Sequence, residues 1–175
     1  VKNIQYLTFA AAIAVVKSIK KLTKLDAKIK WPNDVHYKSG KLCGILTEGI
    51  FGRQNHVIVG IGLNINQDKL PSVIKGIAAS IKIISNKMTN INDLSKNIID
   101  EFFNIYNNQY NKNKLNNIMK EWKKYCDTIG KEVSVITGNK TIKGKAIGVG
   151  EDCSLLLNSN GKLIKIVEGD LRIRY

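Results

Sequence analysis

Two short stretches hold the residue types that could do chemistry. The first, Ile29 to Gly49 (IKWPNDVHYKSGKLCGILTEG), sets Lys30 and Lys41 on either side of an acidic turn, Asn33-Asp34. The second, Val57 to Asn66 (VIVGIGLNIN), is nearly all apolar, carries Gly60 and Gly62 two residues apart, and reaches Asn64 at its end. Ammonium groups around a carboxylate and an amide suit the handling of anions. The glycines are more telling than the lysines. Any one lysine of a lysine-rich chain is most often a surface residue whose stem lies along the protein. A glycine inside a strand weakens it and marks the close approach of a ligand or another backbone. Gly44 is such a residue, and Gly60 and Gly62, at period 2, face the same side of their strand. That side is stripped of side chains while Ile61 and Leu63 fill the other. A flat groove over a sheet follows, with Asn64 at its end. A tight contact between sheet and helix accounts for the same glycines equally well. The G-x-G lacks the strand-to-helix context of a dinucleotide fold.

The elements that must position these residues read as follows. Residues 5 to 22 form a helix: Ala10, Ala11, Ala12 and Ala14 favour it, and Leu7, Ala11, Ala14, Val15 and Ile19 recur at helical spacing. Ala27 to Trp31 is a short strand, stopped by Pro32. Val35 to Tyr37 and Leu42 to Glu48 form a hairpin through Lys38-Ser39-Gly40-Lys41. His56 to Leu63 follows as a third strand, and its apolar run predicts a central place in the sheet. Leu70 to Ser80 reads as a loop with a helical turn. Asn90 to Tyr110 and Leu115 to Cys126 are amphipathic helices. Short strands then recur at 131–137, 141–148, 154–158 and 162–167, separated by Gly- and Asn-rich turns, which predicts a small barrel.

The bulk properties set limits. A chain of 175 residues with 43% apolar residues can bury a core. No run is long and apolar enough for a transmembrane helix, and a cytoplasmic protein is expected. Cys43, Cys126 and Cys153 are odd in number and far apart, and His36 and His56 show no ligand spacing. A disulfide framework or structural zinc site is disfavoured. The net charge of +14 is spread along the whole chain. With Asn, Ile and Lys abundant together, it reads as composition bias plus a phosphate-bearing ligand. Dedicated nucleic-acid binding would call for a clustered basic face or stacking aromatics.

Three segments carry a resemblance. Lys30-Trp31-Pro32-Asn33-Asp34, then Lys41-Leu42-Cys43-Gly44-Ile45-Leu46-Thr47-Glu48, then Val59-Gly60-Ile61-Gly62-Leu63-Asn64-Ile65-Asn66 resemble, in order and spacing, the catalytic core of biotin protein ligases. Asp127 to Val133 resembles the start of that family's small C-terminal domain, and Gly169 to Arg174 its terminal strand. The resemblance implies an α+β fold. A mixed or antiparallel sheet with packed helices (a class II synthetase-like core, incomplete) would occupy 1–126, and an SH3-like β-barrel 127–175. It implies activation of biotin with MgATP to biotinyl-5′-AMP, then transfer to a lysine of a carboxylase's biotin carboxyl carrier domain. Lys41 would be the catalytic ammonium, and Asp34 would help the acceptor lysine lose its proton in the transfer step. Gly44, Gly60 and Gly62 would join Lys41 in holding biotin. Lys30, Asn33, Asp34, Asn64 and Arg174 would serve ATP. Magnesium would come with the nucleotide, near Asn64 and Asp34, with no site made by protein alone. A homodimer through the sheet is a further family-level expectation, with no membrane or nucleic-acid partner.

The family's Gly- and Arg-rich loop, G-R-G-R-x-G-R, does not occur in these residues, whose only arginines are Arg53, Arg172 and Arg174. The chain therefore reads as the C-terminal portion of a ligase, with weak or no activity expected by itself. A lipoate ligase, which shares the fold, is the nearest alternative enzyme. A non-catalytic binding module derived from a ligase is the alternative of another class.

Overall fold

The computed structural model describes residues 3–50, 52–71 and 76–173. Helix α1 (Gln5–Thr23) is the hub. Its apolar residues are not confined to one stripe: Tyr6, Leu7, the run Phe9 to Val16, Ser18 and Ile19 are all buried. A helix apolar nearly all round belongs inside a fold. The alanines keep it thin enough for a sheet on one side and helices on the other. It ends at Lys24, which adopts the left-handed conformation and donates its N–H to the Lys20 carbonyl.

The sheet against α1 is an antiparallel meander in the order β1-β2-β3-β4, formed by β1 (Lys28–Lys30), β2 (Asp34–Tyr37), β3 (Gly40–Ile50) and β4 (His56–Leu63). Its inward face carries Ile29, Val35, Cys43 and Ile45, and Thr47 on β3 accepts or donates a 2.8 Å hydroxyl bond with Thr8 on α1. Where β4 ends, residues 77–79 take its place beside β3. The Lys41 N–H donates to the Ile77 carbonyl at 2.8 Å, and the Ala79 N–H donates back to the Lys41 carbonyl at 2.9 Å. Gly40 permits that approach, because a Cβ there would stand 2.7 Å from the Ala79 Cβ.

A short helix α2 (Ile81–Ser85) follows, just past the loop with a helical turn expected over Leu70 to Ser80; Ser80 caps it by accepting from the Ile83 N–H. Residues 72–75 of that expected loop lie outside the described residues. Helix α3 (Ile91–Ile105) is capped by the Asn90 side chain and runs into a π-helical turn, Tyr106–Tyr110. With α4 (Leu115–Tyr125) it covers the other side of α1. Phe9 stacks on Trp122 with ring centroids 4.2 Å apart, and Lys17 bridges Glu101 at 2.7 Å and Glu121 at 3.6 Å.

Two expectations fail here. β4 is not central: among the described residues it is the edge of its sheet. Its residues alternate between half-buried and exposed, with His56, Ile58, Gly60 and Gly62 on the exposed side. The apolar run misled because Ile58 is exposed and the glycines contribute no side chain.

The second failure is the SH3-like barrel. Strands β5 (Glu132–Thr137), β6 (Lys140–Val149), β7 (Leu155–Ser159), β8 (Lys162–Ile166) and β9 (Asp170–Ile173) form an open antiparallel sheet in the order β8-β7-β6-β5-β9. Its two edges do not pair among the described residues. The sheet nevertheless curls strongly. Ile166 and Asp170 would stand about 30 Å apart in a flat sheet of this register, at ~4.8 Å between strands and ~3.3 Å per residue. The three residues joining them span at most about 15 Å. A bulge in β6 between Ala146 and Gly148 supplies part of the bend. The edge strands β8 and β9 pair only with their inner neighbours among the described residues, so the sheet curls without closing. The fold is therefore one of helices with two open antiparallel sheets.

Candidate functional site

The outer face of the first sheet, turned away from α1, gathers the predicted residues in a row. Lys30 pairs with Asp34, Asp34 with Gly44, and Gly44 with Gly62, so these four are cross-strand neighbours on four successive strands. The next row pairs Leu46 with Gly60. Strand alternation alone would put Lys41 on the opposite face from Gly44, three residues away. A bulge corrects this. Val35 pairs with Cys43 but His36 pairs with Lys41, so Leu42 is an extra residue of β3. Leu42 and Cys43 both turn inward and are buried, and Lys41 swings out onto the row. Bulges commonly re-aim a side chain in this way beside functional sites.

Lys41 Nζ then lies 2.6 Å from Asp34 Oδ1, with the lysine side chain 44% exposed and the aspartate 18%. The ammonium sits over Gly44: a Cβ built there would meet Lys41 Cε and Nζ at 3.2 Å and Asp34 Oδ1 at 3.9 Å. At Gly60 and Gly62 a Cβ would meet only strand carbonyls, Leu46 O at 3.7 Å and Gly44 O at 3.8 Å. No helix approaches these glycines. The contact between sheet and helix that could have explained them is absent among the described residues. The floor beside Lys41 is bare backbone, and the exposed apolar side chains of Leu46, Ile58 and, at the far end, Ile50 follow along the same face. Sequence reasoning missed these three, although Leu46 and Ile50 share the parity of Gly44 and could have been found by it.

The other predicted residues fall as follows. Asn33 donates its side-chain amide to the Ile45 carbonyl at 2.7 Å, and its own carbonyl accepts from the Ile45 N–H at 2.9 Å. It thus fastens the 31–34 turn to β3. Asn64 lies just past β4, its N–H donating to the Leu42 carbonyl and its carbonyl accepting from the Ile81 N–H. Arg174 lies outside the described residues. Cys43 is under the row on the inward face; burial first, then the Asp34 carboxylate, pushes its thiol up to about 12 against the pull of Lys41. It is therefore a packing residue and no nucleophile. An apolar groove of about 520 Å³, lined by Val57, Val59, Ile61 and Phe102 among others, lies on the inward side of β4 against α3. It is a different surface from the Lys41 row. No helix among the described residues is long and apolar enough to cross a membrane.

On the same face as Asp34, and cross-strand from Lys41, His36 is buried. Its Nδ1 lies 2.6 Å from the Lys38 carbonyl, which can only accept, so Nδ1 carries the proton. Nε2 is 3.4 Å from Asp127 Oδ2. Burial pushes the imidazole below its ordinary value of 6.5, with Asp127 pulling the other way. The unfolded chain thus binds the proton more readily than the folded one. Stability from this group is fully present above about pH 6.5 and is lost as the pH falls through the folded value. Urea unfolding at pH 7.5 and pH 5.5 checks this. The expected loss is at most about 1.4 kcal/mol per pH unit, and His36→Gln removes that part of the slope.

Comparison with known proteins points one way. The Biotin/lipoate A/B protein ligase family matches residues 1–66, and the Biotin protein ligase C terminal domain matches residues 128–171. The Bifunctional ligase/repressor BirA of Bacillus spizizenii is 34% identical over 171 residues, covering 95% of this chain and 52% of that protein. The biotin–[acetyl-CoA-carboxylase] ligase of Mycobacterium tuberculosis is 28% identical over 170 residues, covering 95% of this chain and 61% of that protein. The chain thus spans about half the length of the BirA relatives it matches. Among solved structures, the biotin protein ligase of Aquifex aeolicus in complex with biotin and ATP superimposes with a TM-score of 0.86. That match has 24% identity and covers 99% of this chain and 73% of that one; at this identity it shows the fold.

Proposed function

We propose that this chain belongs to the biotin protein ligase family, as its matches to two models of that family over residues 1–66 and 128–171 support, and that the Lys41 row is the site where biotin meets ATP. The chain's activity would be to form biotinyl-5′-AMP with MgATP and to pass biotin to a lysine of a carboxylase's carrier domain. The observation that carries this reading is the bulge in β3, which brings Lys41 over the glycine floor and against Asp34.

The chemistry asks for little else from these residues. A carboxylate is ionised at pH 7, so biotin needs no base to attack the α-phosphate. The obstacle is the approach of two anions. A fixed ammonium between them offsets the repulsion and stabilises the charge that develops at phosphorus. Lys41 is the group we assign to this, moving from Asp34 to the anions when they bind. Gly44, Gly60 and Gly62 would let a flat ring and its aliphatic chain lie on the strands, beside Leu46. Lys30, Asn33 and Asn64 border the nucleotide end, and Arg174 would join them. Asp34, released from Lys41, would take the proton that an acceptor lysine must lose. Magnesium would arrive with the triphosphate.

The match of residues 128–171 to the biotin protein ligase C-terminal domain favours biotin over lipoate. The test is incubation with MgATP, an unmodified carrier domain and either biotin or lipoate, with mass spectrometry of the carrier. The expected product is a carrier heavier by one biotinyl group. Lipoyl transfer in place of biotinyl transfer would overturn the substrate assignment.

A further inference from the structure

We propose that Thr128 is a positioning residue for the Asp34–Lys41 pair, acting through Trp31. The inference rests on the reading of that pair as the site of adenylate formation.

The turn at residues 31–34 delivers Asp34 to the row, and it is gripped from two sides. In front, Asn33 holds β3 through both of its bonds to Ile45. Behind, the grip comes from the far end of the sequence. The Trp31 N–H donates to Thr128 Oγ1 at 3.0 Å, across 97 residues. The Trp31 indole N–H donates to the Cys153 carbonyl at 2.9 Å, across 122 residues. The Asp127 N–H donates to the Ile29 carbonyl at 2.9 Å, just before the turn. Trp31 and Thr128 are buried, at 1% and 0% exposure, so water cannot stand in for either partner.

The Cys153 carbonyl is itself held in place. The loop joining β6 to β7 closes on itself, with the Gly150 N–H donating to the Ser154 carbonyl and the Cys153 N–H donating to the Gly150 carbonyl. Ser154 Oγ also bonds Asp152 Oδ1 at 2.7 Å. Two loops of the C-terminal sheet thus fix the back of the turn that carries Asp34.

Loss of the hydroxyl acceptor would leave a buried N–H without a partner. Such a group costs its full desolvation, so the turn would shift to satisfy it. Asp34 is three residues away and bonds Lys41 at 2.6 Å. A shift of the turn is therefore a shift of the ammonium. The C-terminal sheet acts on the site through this path, besides any residue of its own that reaches the substrate.

The test uses the full chain with Thr128→Val, which removes the acceptor and keeps the shape, and Thr128→Ser, which keeps the hydroxyl. Two readouts are taken: the backbone amide resonances of Asp34, Lys41 and Gly44 without ligand, and the affinity for biotinyl-5′-sulfamoyl-AMP by calorimetry. Thr128→Val is expected to move those amides and weaken the analogue by about tenfold, the size of one lost hydrogen bond. Thr128→Ser is expected to restore both. A folded Thr128→Val protein with a lower melting temperature, unmoved amides and unchanged affinity would overturn the proposal, since that is the mark of a purely structural contact. If Thr128→Val does not fold, Thr128→Ala, which removes the same acceptor, is judged by the same two readouts. If the unsubstituted chain binds no analogue, the assignment of the site fails and the amides alone decide. Shifts reversed by serine uphold the positioning role, and their absence overturns it.

Discussion

Replacement of Lys41 by alanine is expected to lower biotin-dependent exchange of labelled pyrophosphate into ATP on the order of 10²–10³-fold, the usual loss when one preorganised group at a developing charge is removed. The fold should be nearly indifferent. The Lys41 side chain is 44% exposed, and its ion pair with Asp34 lies at the surface of the sheet. Such pairs contribute about 0–1 kcal/mol. Urea unfolding of Lys41→Ala is therefore expected to match the unsubstituted chain within about 1 kcal/mol. Lys41→Arg is a sharper probe. It keeps the charge but replaces a compact point charge by a broad planar fork, and the space over Gly44 is already filled by Lys41 Cε and Nζ. It should not restore exchange to the level of lysine.

Gly44→Val is the second substitution with a large expected effect, and it works through shape. The new side chain would occupy the place where Lys41 Cε and Nζ now lie, 3.2 Å from the position of its Cβ. The far end of a lysine can move aside, and a β-branched residue suits a strand. Stability should therefore hold. The ammonium would be displaced and the floor between Gly44 and Gly62 closed. An affinity loss for biotin of ~100-fold follows, comparable to the effect of misplacing a reacting group by about an ångström. Calorimetric titration with biotin, beside a melting curve, checks both halves. Gly40→Ala is the useful contrast. There the added carbon meets the Ala79 Cβ at 2.7 Å, so stability should fall.

Much of this was legible in the residues. Periodicity located α1, the hairpin, β4 and the strands after residue 130, because buried faces impose their period on the sequence. The types of the candidate site residues stand in the sequence as well, since an ammonium, a carboxylate and bare glycines each suit a particular task. Their joint placement was not. Alternation sets Lys41 and Gly44 on opposite faces, and only the extra residue Leu42 brings them together; a bulge leaves no period to read. The edge position of β4 was hidden because apolar content reports burial of side chains, and Gly60 and Gly62 have none to bury. The barrel was inferred from strand lengths and turn spacing. Those fix hairpins, whereas closure depends on whether β8 meets β9, a contact outside any local pattern. The hold of Thr128 and Cys153 on Trp31 joins residues more than 90 positions apart, so local sequence carries no trace of it.

The Lys41 row is proposed to bind an adenylate. Isothermal titration of the 175-residue chain with biotinyl-5′-sulfamoyl-AMP, beside Lys41→Ala, tests it most directly. Saturable binding to the unsubstituted chain that Lys41→Ala abolishes is the predicted result. A well-folded chain that binds no analogue, or a Lys41→Ala variant that binds it equally well, would contradict the account.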